Sequence, residues 1–199
     1  MMISYGAIIL LSWVTFLAVW GVGALNVKRD VRGGGVYGAL VRYWLLRLGV
    51  ALVIILALRL GRRMNGGRIP RGLTTYWHQP PESLGWVAAA LTVCGIAFAI
   101  WARIYLGRNW SSRPAVKVDH ELVTSGPYRY VRHPIYTGIM LAAFGAALIS
   151  SPFGVGLFVI VFLIFFFRIH KEEKLMLGLF PNEYAAYQTQ TKRLIPLLW

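Results

Sequence analysis

Residues 5–25 read YGAIILLSWVTFLAVWGVGAL, a run without a single charged side chain. A helix of about 20 predominantly apolar residues crosses a bilayer core, and this run has that length. Two further blocks fall in the same class, Tyr43–Leu60 and Ser83–Gly107. Another pair, Ile135–Ile149 and Phe153–Phe167, is split by Ser150-Ser151-Pro152. At about 15 residues each these are short, and they read as a tight helical hairpin supplying the fourth and fifth crossings. The expected fold is an all-α integral membrane protein with about five transmembrane helices. The first block has no basic segment ahead of it and is long for the apolar core of a secretory signal, so it reads as a true span.

Composition agrees. Apolar residues make up 57% of the 199 positions and charged residues 14%, where a soluble domain carries about 25% charged. Lys and Arg number 21 against 7 Asp and Glu, a net charge of +14. That excess could suggest nucleic acid, but no nucleic-acid-binding motif accompanies it. The basic residues lie mainly between the apolar blocks, where they meet anionic headgroups and set orientation. The single cysteine, Cys94, excludes an internal disulfide, and His78, His120, His133 and His170 have no metal-ligand spacing.

The basic segments are Lys28–Arg42, Arg62–Arg71, Arg108–Arg132 and Arg168–Arg193. With the N-terminus outside, all but Arg62–Arg71 are cytoplasmic; that segment runs against the positive-inside tendency. The short hairpin returns the chain, so Arg108–Pro134 and the C-terminal tail share a face. Arg47, Arg59 and Arg103, inside or near the ends of spans, are expected to snorkel to an interface. The triplet Gly33-Gly34-Gly35 reads as a flexible connector, since no strand precedes it and no Lys-Ser/Thr follows.

Two polar stretches lie on the shared face. In the first, His120–Gly138, Gly126-Pro127 forces a turn and His133 is pushed out of helical geometry by Pro134. Pro134 suits the first turn of the following helix. The free amides of that turn, with His133 and Tyr136, would suit an anionic group such as a carboxylate; an aromatic and basic interface belt is the competing reading. In the second stretch, Arg168-Ile169-His170-Lys171-Glu172-Glu173, Arg168 and Glu172 are four apart and share a helix face. An ordinary surface ion pair is the alternative there, though two adjacent acids are notable in a chain with seven. Residues Leu179–Tyr187 then form an interfacial amphipathic helix.

The run LVTSGPYRYVRHPIYTG, together with EEKLMLGLFPNEYAAY and the closing RLIP, resembles the isoprenylcysteine carboxyl methyltransferase family. More broadly it is similar to membrane methyltransferases that include phospholipid N-methyltransferases. The resemblance is specific over residues 105–196. It implies S-adenosylmethionine as methyl donor, with donor contacts at His120, Glu121, Leu122, Val123, Tyr128, His133, Pro134, Ile135, Tyr136 and Glu172. Gly138 would allow close helix approach beside them. Arg168 matches the family arginine assigned to the acceptor carboxylate, so Arg168 and Glu172 are the implied catalytic pair. Arg113 stands where a family member has a donor-contacting glutamine, a departure at that contact.

Residue chemistry is compatible with that implication. Glu172 can pair with the donor ammonium, while His133, Tyr136 and backbone amides take its carboxylate. Aromatic rings can flank the sulfonium. A carboxylate acceptor is already anionic and needs no general base, which favours O-methylation over N-methylation. The expectation is a single membrane domain over 1–199, with N-terminal spans in 1–107 and the donor-binding, catalytic half in 108–199. The donor would bind from the cytoplasm and a lipophilic acceptor would enter from the bilayer, with membrane lipid as surroundings and neither nucleic acid nor metal as partner. The alternatives are a phospholipid amine methyltransferase, a sterol-type reductase using a nicotinamide cofactor, and a non-catalytic basic membrane protein.

Overall fold

A computed structural model describes residues 4–25, 81–110, 121–150 and 152–196, and the descriptions below concern these. They form five α-helices: α1 (Tyr5–Leu25), α2 (Glu82–Leu106), α3 (Pro134–Leu148), α4 (Pro152–Leu179) and α5 (Pro181–Gln190). Short 3-10 turns stand at Gly107–Asn109 and Gly126–Arg129. Among the described residues the strand-like pairing is one isolated bridge, Val131 with Lys192.

Three stretches are long and apolar enough to cross a membrane: Tyr5–Gly23, Glu82–Asn109 and Gly154–Leu179. Large apolar side chains such as Leu10, Val22, Ile104 and Phe167 stand exposed on them, as lipid-facing residues do. The expected span Tyr43–Leu60 lies outside the described residues, as do Arg47, Arg59, the glycine triplet, Arg113 and His120.

The bundle is organised around α2 and α3. A Cβ added to Gly95 would stand 2.5 Å from the Gly138 carbonyl oxygen, and one on Gly138 would stand 2.5 Å from that of Gly95. The two backbones therefore touch, and Ala99 and Ala142 are fully enclosed beside them. Small residues serve this purpose in membrane bundles, where close packing replaces a hydrophobic driving force. Thr92 adds an interhelical bond, its hydroxyl donating to the carbonyl of Ala142 at 3.3 Å as well as to Ala88 at 2.8 Å. Helix α1 packs on α2 through Phe16 and Trp20, whose rings stack at 4.1 Å.

One expectation is corrected. Arg103 does not snorkel: it is buried, donating to the carbonyl oxygens of Gly23 at 2.5 Å and Gly107 at 2.9 Å, with Trp110 4.4 Å from its guanidinium. It joins the end of α1 to the end of α2, because carbonyls free of helical partners are available at both ends. The polar stretch beginning at Arg168 is helical, as the shared face of Arg168 and Glu172 requires. It continues α4, one helix of 28 residues and about 42 Å, because neither Gly nor Pro interrupts residues 157–177.

Candidate active site

The Gly126-Pro127 turn forms as expected, with Gly126 at φ 58°, a left-handed conformation that suits glycine. The turn buries Tyr128, whose carbonyl accepts a 2.5 Å hydrogen bond from the Tyr187 hydroxyl of α5. Burial pushes the Tyr187 phenol up to about 12, so it remains a donor near neutral pH. Five residues after Tyr128, His133 precedes α3 with φ −124° and ψ 58°, and Pro134 occupies the first turn.

The C-terminal segment is strapped across this corner. Arg132 N–H donates to the Lys192 carbonyl at 2.8 Å, and His133 N–H donates to that of Arg193 at 3.0 Å. Thr137 donates its hydroxyl to Leu194 at 2.7 Å. The closing RLIP thus has a structural role as backbone partner to the RHP stretch.

Two adjacent carboxylates of α4 meet this assembly and serve different partners. Glu172 Oε1 accepts from the Tyr136 hydroxyl at 2.7 Å and from Arg168 Nε at 2.8 Å. Glu173 is buried, with Arg132 Nε at 2.8 Å and Arg193 Nε at 3.0 Å. Arg132 also donates to the carbonyls of Gln188 and Thr191. The His133 ring lies between the carboxylates, Nδ1 3.8 Å from Glu172 and Nε2 3.5 Å from Glu173, and it stacks on Tyr136 at 5.6 Å between centroids. At 3.5 Å, Nε2 is within ion-pair reach but lacks hydrogen-bond geometry. Tyr136 in turn stacks on Phe165 at 4.6 Å, with the Arg168 guanidinium 5.7 Å from its ring centre.

Arg132, His133, Tyr136, Phe165, Arg168 and Glu172 border a cavity of about 660 Å³, inside the roughly 300–1,000 Å³ range of small-ligand sites. Of the anticipated site residues, Glu121, Leu122, Val123, Tyr128, His133, Ile135, Tyr136, Arg168 and Glu172 all line it. Pro134 is fully buried behind the wall, and His120 lies outside the described residues. Among the described residues no group of three or more His, Cys, Asp or Glu gathers as a metal site.

Sequence reasoning missed two parts. One is the Glu173–Arg132–Arg193 node; the only signal for it was the doubled acid beside Arg168. The other is the wall supplied by Trp13, Phe16 and Trp20 of α1. Their spacing of three and four puts them on one helix face, a pattern equally typical of any packed helix.

Apolar helices, three of them long enough to cross a membrane, thus border a cavity with an acid–arginine pair at its polar end. The model of the Isoprenylcysteine carboxyl methyltransferase (ICMT) family matches residues 86–178, α2 through nearly all of α4. A protein-S-isoprenylcysteine O-methyltransferase of Schizosaccharomyces pombe is 37% identical over 101 residues, covering 49% of this chain and 43% of that protein. One from Tribolium castaneum is 35% identical over 133 residues, covering 63% and 47%. The solved structure of the eukaryotic intramembrane Ras methyltransferase ICMT superposes with a TM-score of 0.51 at 27% identity, over 59% of this chain and 46% of that one. The chain thus spans about half the length of these relatives. The family resemblance read from the sequence is shown, and the helical, membrane-type fold goes with it.

Proposed function

We propose that this protein is a membrane-embedded, S-adenosylmethionine-dependent methyltransferase that O-methylates the carboxylate of a lipophilic, isoprenylcysteine-like acceptor. The observation that carries the reading is the placement of Arg168 and Glu172. They lie one turn apart on α4 at the polar end of a cavity whose walls further along α3 and α4 are apolar. A cationic and an anionic ligand group can be met there side by side, with a hydrocarbon chain accommodated beyond. The similarity to isoprenylcysteine O-methyltransferases supports the same reading.

The donor fits the residues present. Glu172 lines the cavity and is partly open to it, so it can take an ammonium group. Tyr136 and the first turn of α3 suit the accompanying carboxylate. Bound S-adenosylmethionine supplies a methyl group activated by its sulfonium. The protein's part is to align and desolvate. Arg168 holds the acceptor carboxylate with one oxygen directed at the methyl carbon, and Tyr136, Phe165 and the α1 aromatics exclude water. No side chain needs to remove a proton, because the attacking oxygen is already ionised.

In this reading the chain makes five crossings, α3 and the first half of α4 form the membrane hairpin, and the donor site opens to the cytoplasm. Residues 1–107 supply spans and 108–199 the donor-binding half. The halves act together, since Trp13, Phe16 and Trp20 line the same cavity.

The test is mass spectrometry of products from purified protein, isotopically labelled donor and a mixture of prenylcysteine acids and membrane lipids. The label is expected in a carboxyl methyl ester. Label on a lipid amine would replace the reading with the N-methyltransferase. Absence of saturable donor binding would leave the reductase and the non-catalytic protein. Glu172→Gln keeps the shape while removing the charge, and a charge-assisted contact of about 1.5–3 kcal/mol corresponds to roughly ten- to a hundredfold. Calorimetry should register that fall in donor affinity; an unchanged affinity removes Glu172 from the donor site.

A further inference from the structure

The α3 helix carries two stripes of small residues, and only one is explained by helix packing. Gly138, Ala142 and Gly145 face α2, where the backbones touch. Ala143 and Ala146 instead line the cavity, continuing the stripe that starts at Tyr136 and Ile139. Nothing in the α2 contact requires these two to be small. The same cavity is lined by Phe158, Val161 and Phe165 of α4. The ring pairs Tyr136–Phe165 at 4.6 Å and Phe144–Phe158 at 5.8 Å set α3 and α4 antiparallel, so residues lining this arm later in α3 and earlier in α4 lie progressively farther from Arg168. At 1.5 Å per residue, Ala143 lies about 10 Å beyond Tyr136 along the helix and Ala146 about 15 Å. The step between them, about 4.5 Å of helix rise, is close to the length of one isoprene unit.

We propose that Ala143 and Ala146 set the length of hydrocarbon chain that the acceptor site takes, each admitting one further isoprene unit past the bulkier residues near Arg168. The proposal rests on the acceptor reading given above. The occupant is the acceptor's own chain, because the arm is continuous with the polar end where Arg168 would hold the carboxylate. A phenylalanine at either position would fill the arm at that depth while leaving the α2-facing stripe untouched.

The experiment uses the full chain in detergent with cysteine acids bearing one to four isoprene units on sulfur. Both kcat/KM and binding of the acids without donor are measured. For the wild type, both should improve with chain length. Ala146→Phe should weaken the longest acids at least about tenfold, the loss expected when one unit is no longer buried, and change the shortest by less than about twofold. Ala143→Phe should move the break about one unit shorter, while donor affinity stays as in the wild type. Ala143→Leu and Ala146→Leu should give the same order with smaller steps and cover the case in which a phenylalanine variant does not fold. Equal losses at every length, breaks at the same length, or no break overturns the proposal. So does wild-type binding that ignores chain length, which would assign the arm to bilayer lipid. Graded binding without methyl transfer would leave the length gauge standing and remove the methyltransferase reading; transfer without a break would remove the gauge alone.

Discussion

Arg168→Lys is expected to cut turnover by about a hundredfold, the scale of loss when a reacting group is held about an ångström out of line. The substitution keeps the charge and removes the planar fork. In the structure, Arg168 gives its Nε to Glu172 at 2.8 Å, and a guanidinium has two further nitrogens to offer. A lysine has one nitrogen for both tasks, so it can pair with Glu172 or meet an acceptor carboxylate but cannot reproduce the two-point geometry. Donor affinity should change less than turnover, by under about threefold, because Glu172 keeps its Tyr136 bond and a neighbouring cation. Single-turnover kinetics and calorimetry on this variant separate the two effects. Full activity in Arg168→Lys would remove the carboxylate-acceptor reading, since an amine acceptor has no use for the fork.

The second large effect is expected at Glu173, one position from the proposed donor contact and different in kind. Glu173→Gln leaves Arg132 facing a neutral amide inside the protein. Taking one partner from a buried ion pair costs about 3–5 kcal/mol. Arg132 and Arg193 belong to the strap that pairs residues 192–193 with residues 132–133, so loosening the node frees the His133 corner as well. A lowered melting temperature in detergent and a weaker donor affinity should appear together in this variant. Glu172→Gln should instead lose donor affinity with little change in melting temperature, its side chain being more open. If Glu173→Gln melts like the wild type, the strap is held by its backbone bonds alone.

The contrast between these neighbouring acids indicates what a one-dimensional reading can see. Arg168 and Glu172 were recognisable as a pair because a helix of 3.6 residues per turn stacks positions four apart. The His133-Pro134 corner was recognisable because proline restricts the residue before it and suits a helix start. Glu173 looked like a duplicate of Glu172. Its partners lie 41 and 20 positions away, and no local period connects them. Arg103 was misjudged for a related reason: near a helix end its exit to the interface is the ordinary outcome, and only the arrival of Gly23 from α1 makes burial favourable.

Composition and local pattern decided a good deal without any tertiary information. Long uncharged runs require helices in a bilayer, because every backbone polar group must be satisfied within its own segment. The motif order in residues 105–196 pointed to the family. What the chain could not disclose before folding was where α4 ends and which walls enclose the cavity. The first depends on a polar segment continuing an apolar helix, which propensity alone leaves open. The second depends on α1 coming to α2, across more than fifty intervening residues, to place Trp13, Phe16 and Trp20 opposite Tyr136 and Phe165. Contacts between distant segments are set by packing of complementary faces, and each face viewed singly is only another apolar stripe on a membrane helix.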